Sequence, residues 1–335
     1  MPKAKKVFVF ILFIIMSTAV LTGCSKPKMI EKIETEDAVS EERIIRNQQV
    51  KQERQITIGV SLLSFDNIFI ADVKNAMEAK AKELGVSLII SDGQNSTEKQ
   101  VSHVENFIAQ MVDVIILNPN SMVGCKPAVE SANRAGIPII TVNTLVENQD
   151  KCVAFVGSDA VESGRIQMEY AARLLGGKGD VIILKGPLGH EAEIGRSKGM
   201  KEILDKNPGI NVVYEQSANW SRGEGRIIVE NCLNSGKHID AVISQNDEMA
   251  LGALEAINKF NLTGKIKVFG IDAIPEALKQ INEGNMHGTV FQDAKGQGAM
   301  AIQTAVKVAK GERVESNIYI PYVLVTKYDV SKYLN

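Results

Sequence analysis

The sequence predicts an α/β protein of two similar lobes, each an open parallel sheet with helices on both faces. Three observations carry that expectation. From Gln55 onward, short Val/Ile-rich runs alternate with helical patterns of about 10 to 17 residues, the signature of repeated βαβ units. The stretches "VDVIILNPN" and "IDAVISQND" look alike, and each is followed by a helix and another short strand. Asn118 to Asn246 spans 128 residues and Asn143 to Asp272 spans 129, so two near-equal offsets relate one half of the chain to the other.

The strands expected, in order, are "ITIGVSL", "VSLIIS", "DVIILNP", "IPIITVN", "CVAFVGS", "GDVIILKG", "NVVYEQS", "DAVISQN", "KIKVFGID" and "HGTVFQD". Their continuous apolar character fits strands buried on both faces by helices. The helix after the first strand carries Val73, Ala76, Met77, Ala81 and Leu84 at helical spacing. One strand end is unusual: the run "AVIS" stops in Gln245-Asn246-Asp247 before the Ala/Leu-rich helix "EMALGALEAI". A helix cap needs one polar residue, not three. In open α/β sheets, ligands bind beyond the carboxyl ends of the strands, where this cluster lies. Asn246 is read as facing that region, Asp247 as the helix cap and Gln245 as structural, on the other side of the strand.

At 335 residues the chain has room for two domains of ordinary size, and 44% hydrophobic with 23% charged residues fits a globular protein. A net charge of −2 gives no electrostatic reason to expect nucleic acid as a partner. The first residues read as a targeting segment: Lys3, Lys5 and Lys6 precede the apolar run Val7 to Val20, too short for a comfortable membrane span and suited to a secretory signal. The run ends in Leu21-Thr22-Gly23-Cys24, which resembles the lipobox of bacterial lipoproteins. That resemblance implies cleavage before Cys24, lipid on its thiol and attachment to the outer face of the cell membrane; an uncleaved signal anchor is the alternative. Ser25 to Arg54 is rich in Glu, Lys, Arg and Gln and reads as a solvated tether. Cys125, Cys152 and Cys232 form no disulfide framework, and reduced structural thiols are expected, with a Cys125–Cys152 bridge left open.

The core from Gln55 to the C-terminus resembles the sugar-binding proteins of bacterial ABC transporters, of the ribose/galactose-binding type. "SQNDEMALGAL" with "GIDAIPEAL" carries the resemblance. It implies two lobes joined by three hinge crossings, near Ser158-Asp159, Gln292-Asp293 and Pro321, that close on a sugar. The expected organisation is a signal peptide (1–23), lipidated Cys24 with its tether (24–54), an N-terminal lobe (55–157 plus 293–320) and a C-terminal lobe (158–292 plus 321–335). It also implies a membrane permease as partner, action as a monomer, and no cofactor.

A polyol presents hydroxyls around its rim and C–H bonds on its faces, so its site needs amides, carboxylates or guanidinium groups in the ring plane and aromatic rings above and below. In "FDNIFI" the resemblance makes Asn67 a hydroxyl ligand and Phe69 a stacking ring; the residues alone allow Phe69 to be core. Asn118 ends a strand before Pro119 and reads equally as turn residue or ligand. Arg196 in "GPLGHEAEIGR" aligns with the family's sugar-contacting arginine, although a lone helix arginine is ordinarily solvated. Trp220, the only tryptophan, sits among small and polar neighbours in "SANWSRGEG", where the family has a stacking aromatic. Asn246 is paired with Asn118, Asp272 with Asn143, and Gln292 falls at a crossing.

Ribose-binding relatives have Asp-Arg where this chain has Asn143-Thr144, which removes a bidentate guanidinium contact. Together with "GPLGHEAEIGR", "SANWSR" and "TVFQDAKGQG", that pair resembles the inositol- and rhizopine-binding branch, so a cyclitol such as myo-inositol is the expected ligand. His190, Glu191 and Glu193 read as capping or rim residues near a helix start. No Walker A, GxGxxG, GxSxG or HExxH pattern occurs, and the four histidines lack ligand-like spacing, so neither an enzyme nor a metal site is expected. A repressor sharing such a core would need a helix-turn-helix header where the signal segment lies. Ribose or galactose as ligand, and a sugar-sensing receptor of a signalling system, are the competing readings.

Overall fold

The computed structural model describes residues 54–334; the expected signal segment, Cys24 and the tether up to residue 53 lie outside them. The first sheet contains β1 (Thr57–Leu62), β2 (Ser87–Asp92), β3 (Val114–Leu117), β4 (Ile139–Asn143), β5 (Ala154–Gly157) and β11 (Asn317–Tyr319). Its order is β11-β5-β4-β3-β1-β2, parallel throughout. The second contains β6 (Lys178–Lys185), β7 (Gly209–Ser217), β8 (Ala241–Ser244), β9 (Lys267–Asp272), β10 (Gly288–Phe291) and β12 (Val323–Val325). Its order, β12-β10-β9-β8-β6-β7, repeats the first, with β12 alone antiparallel. The ten expected strands are present. β11 and β12, three residues each, were not among them.

Alternation along each strand feeds two cores, one on either face of the sheet. In the first sheet Ile58, Val60 and Leu62 pack with Val73 and Met77 of α1 (Ile68–Leu84) and Ile302 of α9 (Ala294–Ala309). Ile115 and Leu117 turn the other way, onto Val104 and Phe107 of α2 (Thr97–Ala109) and Val129 of α3 (Lys126–Arg134). The second sheet is covered on one face by α6 (Arg222–Asn234), α7 (Asp247–Lys259) and α8 (Pro275–Glu283). Its other face meets α4 (Ala160–Leu175) and α5 (Glu191–Leu204). Cys125, Cys152 and Cys232 are unpaired thiols within these cores.

The chain passes between the sheets three times: between β5 and α4, between β10 and α9, and between β11 and β12. The two helices that follow crossings therefore pack on the opposite sheet from the strands preceding them. Glycines fix both. A Cβ at Gly199 of α5 would strike the Val161 carbonyl of α4, and one at Gly298 of α9 would strike the Val73 carbonyl of α1. Backbone-to-backbone approach of this kind holds each crossing helix hard against its new lobe.

The hydrogen bonds also fix which residues correspond between lobes. Asn118 N donates to Ser61 O and Asn118 Oδ1 accepts from Leu63 N; Gln245 N donates to Leu184 O and Gln245 Oε1 accepts from Gly186 N. The structural counterpart of Asn118 is thus Gln245, not Asn246 as the similar stretches suggested. Asn143 and Asp272 do correspond, each closing its strand with positive φ (65° and 126°).

Candidate functional site

Strand ends and helix starts from both sheets meet at one cleft. Leu63, Asn67, Phe69, Ile70 and Asn143 line it from the first lobe; His190, Ala192, Arg196, Trp220, Asn246, Asp272 and Gln292 line it from the second. Three of these residues are N-caps: Asn67 Oδ1 accepts from Ile70 N, His190 Nδ1 from Ala192 N, and Asn246 Oδ1 from Met249 N. Three helix N-termini, with their partial positive charge, therefore face the cleft.

Arg196 is the organising group of the second lobe. Its guanidinium is almost fully buried and donates from Nη1 to the Gln245 carbonyl and from Nη2 to Gln292 Oε1 (3.0 Å). Asp272 Oδ1 lies 3.8 Å from Nη2, and the Trp220 ring centroid is 5.5 Å from Cζ. The Tyr322 phenol, at the third crossing, adjoins the same guanidinium. Burial pushes the Asp272 carboxyl well above the usual range against the opposing pull of Arg196, with Asp247 adding to the rise. Trp220 (φ 60°) reaches the cleft from the turn before α6, and its indole rests where any side chain at Gly186 would be. A glycine at position 186 is the condition for that placement.

Of the ten side chains expected to contact ligand, the cleft gathers Asn67, Phe69, Asn143, Arg196, Trp220, Asn246, Asp272 and Gln292. Phe69 belongs to the first-lobe core and also lines the cleft. Asn118 and Thr144 are placed elsewhere. Both are fully buried, and Asn118 donates from Nδ2 to Thr144 Oγ1 (3.1 Å) and to Val142 O, while Thr144 Oγ1 donates to Pro119 O (3.0 Å). Their polar atoms tie together the ends of β1, β3 and β4 beneath the cleft. Asn143 turns its amide to Gln297 Oε1 (3.1 Å), and Gln297 Nε2 donates to Ser158 Oγ at the first crossing.

At "SQND" the roles differ from those expected. Asn246 caps α7 as well as lining the cleft. Asp247 does not cap: its Oδ1 accepts from the Thr289 hydroxyl (2.8 Å) and its Oδ2 from Ile274 N (3.0 Å), and burial raises its pKa to about 6. Gln245 is structural, as expected. Glu193, read with the rim, pairs with Lys185 at 2.6 Å, away from the cleft lining.

His190 is the cleft residue that sequence reasoning undervalued. It caps α5 as anticipated, but it is also buried against Trp220, edge to face at 5.5 Å. Its signal was weak: one histidine between Gly189 and an acidic first turn. Among the described residues no group of three or more His, Cys, Asp and Glu side chains is placed to hold a metal, and no helix is long and apolar enough to cross a membrane.

A two-lobed α/β fold with a polar, aromatic-flanked cleft beyond its strand ends defines a protein built to hold a small ligand. The chain belongs to the periplasmic binding protein domain family, whose model matches residues 58–313. It is 41% identical over 288 residues to a putative rhizopine-binding protein of Rhizobium meliloti, covering 83% of this chain and 92% of that one. It is 38% identical to a ribose import binding protein of Bacillus subtilis, covering 82% and 88%. An ABC transporter solute-binding protein from Bacillus halodurans, solved with bound myo-inositol, superposes with a TM-score of 0.81 at 44% identity, covering 84% of this chain and 97% of that one.

The cleft's histidine makes stability depend on pH. Burial, with Arg196 adding to it, lowers the His190 pKa from 6.5 to about 4. Because the folded value lies below the unfolded one, the unfolded chain holds the extra proton between them. The stability tied to a neutral His190 is full above about pH 6.5 and lost as pH falls toward about 4. Urea unfolding should show the wild-type protein losing roughly 3 kcal/mol more than His190→Asn between pH 7 and pH 4. Parallel pH profiles would contradict it.

Proposed function

We propose that this chain is an exported solute-binding protein of an ABC importer that captures a neutral polyol, with a cyclitol of the myo-inositol type as its ligand. The cleft composition supports this most directly: an amide from Asn67, Asn143, Asn246 and Gln292, one guanidinium and one carboxylate, with Phe69 and Trp220 contributed by opposite lobes. Such a set offers donors and acceptors in a ring plane and an aromatic face on either side. Asn143-Thr144 in place of Asp-Arg favours a cyclitol over ribose. The myo-inositol bound by the Bacillus halodurans protein points the same way. A pentose is the competing ligand, favoured by the similarity to the ribose import binding protein.

Capture proceeds by closure. Ligand touching both lobes stabilises the arrangement in which they approach, and the three crossings are the segments that bend. The permease then takes the ligand from the closed, monomeric protein. Lipid on Cys24 holds the binding domain at the outer face of the membrane through the charged tether. No cofactor takes part.

Asp272 is the single carboxylate of the cleft and accepts two ligand hydroxyls in this account. Asp272→Ala should weaken myo-inositol binding at least about a hundredfold, as expected when a charged hydrogen-bond partner is lost and the buried Arg196 loses its carboxylate counter-charge. Calorimetry reads this directly, and unchanged affinity would remove the cleft from the function. Cys24→Ala should shift the protein from the membrane fraction to the soluble one. Retention on membranes would contradict lipid anchoring.

A further inference from the structure

Asp247 is a buried carboxylate that the cleft does not use. It is fully buried, it does not line the cleft, and the helix it begins, α7, is already capped by Asn246. Burying a carboxylate is unfavourable unless hydrogen bonds compensate it. Those of Asp247 converge on one place, the turn that follows Asp272. Oδ2 accepts from Ile274 N (3.0 Å). Oδ1 accepts from the Thr289 hydroxyl (2.8 Å), whose oxygen in turn accepts from Ala273 N (3.3 Å). An ionised carboxylate only accepts, so the direction of this relay is fixed. The neighbouring strand makes room for it: a Cβ at Gly270 of β9 would strike Asp247 Oδ1.

The turn is one that needs holding. Asp272 and Ala273 both have positive φ (126° and 62°), a region that side chains of L residues rarely adopt. Ile274, the N-cap of α8, has no side-chain oxygen to offer the first turn of its helix. Backbone of this kind persists only where its surroundings over-determine it. Arg196 alone does not fix the Asp272 side chain, because its Nη2 comes no nearer than 3.8 Å, beyond a hydrogen bond. We propose that Asp247 is a positioning residue of the ligand site: its carboxylate, directly at Ile274 N and through Thr289 at Ala273 N, holds the turn that aims Asp272 at a bound polyol. Asp247 itself touches no ligand. The inference goes beyond the polyol reading but rests on it for the role of Asp272.

The test uses the full chain, with myo-inositol, D-ribose and D-galactose as calorimetric probes and urea unfolding of the same variants. Affinity measured on folded protein does not follow global stability, so the two readouts separate positioning from support. Thr289→Val keeps the shape of the side chain but removes the relay to Ala273 N. It should weaken whichever probe binds the wild-type protein about three- to tenfold. Asp247→Leu fills similar space without accepting a hydrogen bond, and should weaken the same probe about tenfold or more. Asp247→Asn keeps an oxygen for Ile274 N and an amide for the Thr289 oxygen, and should stay within about threefold of wild type. Wild-type affinity in Thr289→Val would overturn the inference, whether or not Asp247→Leu folds. A loss of about tenfold or more in Asp247→Asn would do the same, because charge rather than the held turn would then carry the effect. Either result leaves the polyol reading intact. Failure of the wild-type protein to bind any of the three probes would overturn that reading and this inference with it.

Discussion

A buried guanidinium is the constraint around which the second lobe is arranged. Removing Arg196 from water is costly unless hydrogen bonds and an opposite charge compensate it. The chain compensates it from several elements at once: the carbonyl of Gln245 after β8, the amide of Gln292 after β10, and the carboxylate of Asp272 at the end of β9. Trp220 covers one face of the cation. Because Gln292 stands at the second crossing and Tyr322 at the third, the same charge links the cleft to two of the segments joining the lobes. A change in the balance between Arg196 and Asp272 would thereby reach groups at the segments that join the lobes.

The two lobes share a plan but have diverged at their strand ends. In the first, Asn118 and Thr144 bond to each other and to backbone, sealing the floor. In the second, Gln245 takes over the Asn118 role, and the next residue, Asn246, reaches the cleft while capping α7. Most charge and most polar contacts therefore come from the second lobe, whereas the first contributes Phe69, apolar neighbours and two amides. Positive φ at Asn143, Asp272 and Trp220 concentrates backbone strain at the cleft, where fixed geometry serves recognition.

Much of this was legible because parallel strands buried on both faces write continuous Val/Ile runs, and ten of them stood out. β11 and β12 did not, since strands of three residues carry no period and depend on neighbours distant in sequence. The offset between Asn143 and Asp272 held because both residues close equivalent strands. The pairing of Asn118 with Asn246 failed for the opposite reason. It matched identical side chains, whereas sheet hydrogen bonding matches backbone positions, and one residue of slip turns a side chain to the other face. The capping role went to Asn246 rather than Asp247 because the Asp247 carboxylate is taken by Thr289 and Ile274, contacts invisible without the fold. His190 was hidden similarly: its cap bond is local, but its packing against Trp220 joins residues distant in sequence.

In the proposed function a polyol binds between the lobes and is covered by the aromatic ring of the second. The chain has one tryptophan, so emission excited on the long-wavelength side of the tyrosine band reports on Trp220 alone. Titration with myo-inositol should give a saturating change in emission whose midpoint agrees with calorimetry. A flat emission trace with a polyol that calorimetry shows to bind would place the ligand away from Trp220 and contradict binding beneath that ring.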